Sequence, residues 1–197
     1  MKIKYSIFSS IVFVALLLSV YYIHIKFFSV NVILYSAVLD VLIAASLAGI
    51  ILFGLSRLNR LSRFEKGQLL IIWVLVGYIF AITVPTIIDR SLSFYILEKI
   101  QQRGGGIQLS KFEEVFTKEY VKEYRLVDVR LTEQLESGTI TIHDGCVRLT
   151  DRGRRLAEFS EYFRQNFLPK KRLLMGEYTD ELTDPFRYSK PVFDYGC

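Results

Sequence analysis

Three apolar runs fill the first half of the chain: Tyr5 to about Phe27, about Val32 to Leu55, and Leu69 to Ile88. Each can cross the ~30 Å hydrocarbon core of a bilayer, which takes roughly 20 helical residues. No water is available there to satisfy backbone amides, so segments of this kind are expected to fold as helices. The first run is expected to be an anchor and not a cleaved leader. It is too long and ends in "YYIHIKFF", without a small-residue cleavage site. The mean hydropathy of +0.30 comes from this half. From Asp89 onward charges are frequent and mixed in sign.

Lysine and arginine near the span ends set the expected orientation. Lys2 and Lys4 share a side with the connection "SRLNRLSRFEKG", which carries Arg57, Arg60, Arg63 and Lys66. The first-to-second connection offers only Lys26. A multi-pass protein of the plasma (inner) membrane is expected, with a cytoplasmic N-terminus and an extracytoplasmic C-terminal domain.

Two features inside the spans exceed lipid-facing filler. Ala44, Ala45, Ala48 and Gly49 place small residues four apart, which lets helix backbones approach closely, within the chain or with a partner. Asp40 is a carboxylate well inside the second span, where it is costly to bury and needs a polar partner. Thr83 and Tyr78 are expected near its depth, with His24 closer to the surface. Three roles stay open for Asp40: locking the bundle, meeting a partner subunit's polar group, or carrying a proton. The last is disfavoured because no second carboxylate lies in the spans.

Pro85 is expected to bend or end the third span. Asp89 or Ser91 then caps a helix that Gly104-Gly105-Gly106 stops. That triplet lacks the Gly-Lys-Ser/Thr of a phosphate loop. A second helix starts at Ser110 with a capping box to Glu113, and a third runs from about Asp128 to Glu136. "TITI" and "CVRL" then alternate around Asp144-Gly145, a hairpin signal. Thr150 caps a last helix with Leu156, Phe159, Phe163 and Phe167 on one stripe, ending before Pro169.

The run "L…SGTI…VRLTDRG" resembles the wing of winged-helix proteins, and the resemblance covers about residues 91–167. It implies a small α+β domain, in a fold that also mediates protein contacts. The expected class is a mainly α membrane protein with three transmembrane helices (residues 1–88), a winged-helix-like domain (89–172) and an extended aromatic tail (173–197).

Nucleic acid is disfavoured as a partner. The third helix offers Asp128, Glu133 and Glu136 against Arg130, and Glu113, Glu114, Glu119 and Glu123 precede it. A reading helix of that sign repels phosphates. Residues 89–172 hold 16 basic and 13 acidic side chains, with the positive charge away from that helix. Arg148, Arg152, Arg154 and Arg155 are candidate contacts for anionic lipid headgroups or an acidic partner surface. In the tail, Phe186, Tyr188, Phe193 and Tyr195 are candidate aromatic anchors for another subunit, the bland alternative being a strap on their own domain. Cys146 and Cys197 make no disulfide framework or metal site, and Cys146 is expected to be a packed thiol. No nucleophile–base pair, acid pair, metal cluster, cofactor loop or small-molecule site is found. The expected function is a non-catalytic accessory or assembly subunit, bound to an integral membrane protein partner. The rivals are a membrane-tethered DNA-binding regulator and a homo-oligomeric sensor.

Overall fold

The computed structural model of the protein describes residues 2–187. Three helices are long and apolar enough to cross a membrane: α1 (Lys2–Phe27), α2 (Ile33–Gly54) and α3 (Arg63–Arg90). Four-residue spacing of small side chains lets α2 sit between its neighbours. Ala44, Ala45, Ala48 and Gly49 are all buried, together with Phe13, Leu17, Val41, Leu52 and Trp73. Gly77 lies so close under Val41 that a Cβ there would overlap the valine's Cγ1, whereas a Cβ at Gly49 would meet only the end of Leu70 at 3.2 Å. Phe13 and Trp73 stack with centroids 5.4 Å apart, and the Trp73 indole N–H donates to Ser10 Oγ at 3.0 Å.

The turn between α2 and α3 is closed by polar contacts. Ser62 and Glu65 form a capping box at the start of α3, and Lys2 Nζ donates to Glu65 Oε1 at 2.9 Å. Lys66 is buried, donating to Asn59 Oδ1 at 3.1 Å and lying over the Phe53 ring.

Pro85 does not end the third span. It sits in a π-helical turn, Ile82–Thr86, and the helix runs on to Arg90. Proline has no N–H for the carbonyl four residues back, that of Ala81. The Thr86 hydroxyl donates to that oxygen at 2.8 Å and takes the missing place.

The protein divides into two compact units, Met1–Leu126 and Val127–Cys197. The boundary falls at the start of α6. Beyond the spans, the first unit holds α4 (Leu92–Gln102) and α5 (residues 112–123). Ser91 Oγ accepts from Phe94 N and caps α4, and Gly104 and Gly105, both at positive φ, end it. The capping box expected at Ser110 does not form. A 3₁₀ turn, Leu109–Lys111, precedes α5, and no side chain caps that start. Tyr95, Val115 and Tyr120 form a small core with Ile107, Phe116 and Leu126.

The second unit contains most of α6 (Leu126–Glu136), which stops at Gly138 in the left-handed region. The hairpin of β1 (Ile140–His143) and β2 (Cys146–Leu149) turns through Asp144 and Gly145, both at positive φ as a two-residue loop requires. Thr150 caps α7 (Asp151–Phe167) by accepting from Gly153 N at 3.1 Å. A Cβ on Gly153 would overlap the Thr139 carbonyl, so this glycine lets α7 touch the base of the hairpin.

Residues expected to begin an extended tail instead form a second hairpin, β3 (Arg172–Leu174) with β4 (Glu177–Thr179), turning at Met175 and Gly176. Cys146, expected as a packed thiol, is buried and disulfide-bonded.

Candidate functional site

The most unusual chemistry lies among the apolar helices. His24 Nδ1 of α1 and Asp40 Oδ1 of α2 are 2.6 Å apart. Asp40 is only 1% exposed, and its Oδ2 is buried with no hydrogen-bond partner among the described residues. The sequence reading placed His24 nearer the surface and offered Thr83 and Tyr78 instead. Thr83 donates to its own helix, at Ile79 O, and Tyr78 is exposed.

Helix geometry explains the correction. His24 lies three residues before the end of α1 and Asp40 seven residues after the start of α2, a depth offset of about 6 Å at 1.5 Å per residue. Side chains lean toward the N-terminus of their own helix. His24 therefore leans away from the α1–α2 turn and Asp40 leans toward it, and the offset closes.

An imidazole nitrogen and a carboxylate oxygen at this distance are directly hydrogen-bonded. The pair ties α1 to α2. Removing His24 leaves the Asp40 carboxylate buried alone, which is the expensive condition. Among the described residues, no group of three or more His, Cys, Asp or Glu side chains is placed to hold a metal ion.

A second polar cluster joins α4 to α5. Lys99 is buried and bridges Glu119 Oε2 and Glu123 Oε1, each at 2.6 Å, while Arg103 also reaches Glu119 at 3.0 Å. These acids raise the Lys99 pKa, and the same bonds hold Glu119 and Glu123 below the usual carboxylate range. Burial first, then its hydrogen bond to Glu123, push the Tyr95 hydroxyl up to about 12. Glu114 is paired as well, with Lys111 and Lys118. Three of the four acids preceding α6 thus have cationic partners. Sequence reasoning counted them as bare charge and missed Lys99 because it needs 20- and 24-residue separations to close.

The remaining predicted residues are dispersed. Ala44, Ala45, Ala48 and Gly49 are enclosed by this chain's own helices. Arg148 is exposed on β2, opposite Thr141. Arg152 and Arg155 lie near the aromatic stripe of α7, while Arg154 lines a groove of about 390 Å³ on another side of that helix. The four arginines therefore do not form one patch. Phe186 borders the same groove and is 76% exposed, and Tyr188, Phe193 and Tyr195 lie outside the described residues. No protein family, curated protein or solved structure matches the chain.

Proposed function

We propose that this protein is a three-span membrane accessory subunit whose polar half binds another membrane protein and whose own residues carry no catalysis. The observation that carries this reading is the surface of α6. Val127, Val129 and Leu135 are exposed there beside Asp128 and Glu136. Apolar side chains set among acids suit a protein surface and oppose a polyanion. The order of three helices, hairpin and closing helix supports a winged-helix-like reading, and a fold of that kind is free to serve protein contacts.

Burial of the small residues inside the bundle shifts the partner contact away from that face of α2. Spans α1 to α3 then serve as the anchor, and the polar half carries the recognition. The basic N-terminal end and the 57–66 connection favour a cytoplasmic N-terminus. A disulfide at Cys146 supports an oxidising compartment for the second unit.

Affinity capture of the full chain from crosslinked native membranes tests this function. The expected result is one dominant integral membrane protein, lost when Val127 and Leu135 are both replaced by lysine. Capture of nucleic acid, or of further copies of this chain alone, would overturn it.

A further inference from the structure

Helix α7 has an aromatic ladder that nothing among the described residues covers. Phe159 is 60% and Phe167 64% exposed, with Leu156 and Phe163 also open. Phe163 stacks on Phe167 with centroids 5.3 Å apart and touches Phe159 at 5.9 Å. At about 100° per residue these four side chains fall within a stripe about 80° wide.

The charges on the helix are sorted around that stripe. Arg152 falls on its axis at the N-terminal end, and Arg155 flanks it by about 80°. Both are exposed, and among the described residues neither forms an ion pair. The acids Asp151, Glu158 and Glu161 all lie on the far side. There the chain returns: Thr183, Asp184 and Phe186 face Glu158, Glu161 and Arg154 across the groove. The returning segment thus covers the polar side and leaves the apolar side bare.

We propose that α7 lies flat in the interfacial zone of the bilayer that holds the spans, with its aromatic stripe at the acyl boundary and Arg152 and Arg155 on anionic headgroups. A 17-residue helix is about 25 Å long, and with arginines at both ends it is unsuited to crossing. An apolar stripe with arginines beside it and acids opposite is the pattern of an interfacial helix. Each basic residue near an anionic surface strengthens such attachment, and the three spans keep the helix close to the membrane throughout. A stripe built to dock an acidic protein would meet the same arginines, but its partner would have to offer a groove for three consecutive rings. A bilayer offers that environment directly.

This inference rests on the reading of α1 to α3 as spans, and the test separates the two. The wild-type full chain is placed in nanodiscs of phosphatidylcholine with phosphatidylglycerol that carry a shallow diazirine lipid, and adducts are mapped by mass spectrometry. The expected result is labelling of Leu156, Phe159, Phe163 and Phe167 several-fold above Glu158, Glu161 and Gln165 on the same helix. Labelling should fall several-fold in the paired variant Arg152→Glu/Arg155→Glu and in phosphatidylcholine alone. Labelled spans with an unlabelled or uniformly labelled α7 would overturn the docking and leave the span reading standing. Unlabelled spans would overturn both. Crosslinks from α7 to another copy or to residues 188–197, in place of lipid adducts, would likewise overturn it.

Discussion

His24 and Asp40, 16 residues apart, meet at 2.6 Å across the first two apolar helices. Breaking the pair differs from removing it. His24→Leu leaves a buried carboxylate without its hydrogen-bond partner and should cost about 3–5 kcal/mol. The double variant His24→Leu/Asp40→Leu should recover most of that loss, because two apolar groups need no partner. Thermal unfolding in a fixed detergent, compared across a double-mutant cycle, reads the difference. Additive losses would refute a direct bond.

Gly77 and Gly49 should respond unequally to the same methyl group. At Gly77 it strikes the branched Val41 side chain, so Gly77→Ala should cost about 1–3 kcal/mol, and Val41→Ala should restore much of it. At Gly49 the neighbour is the flexible end of Leu70, so Gly49→Ala should be nearly neutral. Melting temperatures of the three variants check this ranking.

The α4–α5 network should weaken in two pH windows. Glu119 and Glu123 are held below their ordinary value of 4.5, so their contribution is present above that pH and is lost as pH falls through the lowered values. Lys99 is raised above 10.5 and Tyr95 from 10.0 to about 12. Their contribution is present below pH 10 and is lost as pH rises toward 12. Tyrosinate absorbance should show a late-titrating component that shrinks by one group in Tyr95→Phe.

Cys146 should resist alkylation in the intact protein and react after reduction, since it is disulfide-bonded. Ready labelling without reductant would remove the support this bond gives to an extracytoplasmic second unit.

The three long helices were legible because a run of apolar residues has few other ways to fold. The Asp144-Gly145 hairpin and the Thr150 cap were legible for a related reason: each residue type does a local job there. What escaped depended on partners remote in sequence. Pro85 left a bend and a stop equally open in the sequence, because what carries the helix past it, the Thr86 hydroxyl on Ala81 O, is a side-chain detail of the folded helix. His24 looked superficial because depth was reckoned from Cα positions, without the lean of the side chains. The small-residue stripe was evident, but whether it faced this chain or another depended on where Leu70 and Val41 came to rest. The turn at Met175 and Gly176 uses a methionine at positive φ, a residue type that gives little warning of such a turn.

The role we propose for this chain is one part of a hetero-complex in the membrane. Native mass spectrometry of particles extracted without crosslinker, in their own lipid, tests it most directly. The expected result is one copy of the chain, or a fixed small number, together with a different integral membrane protein. A particle containing this chain alone, as monomer or homo-oligomer, would contradict it.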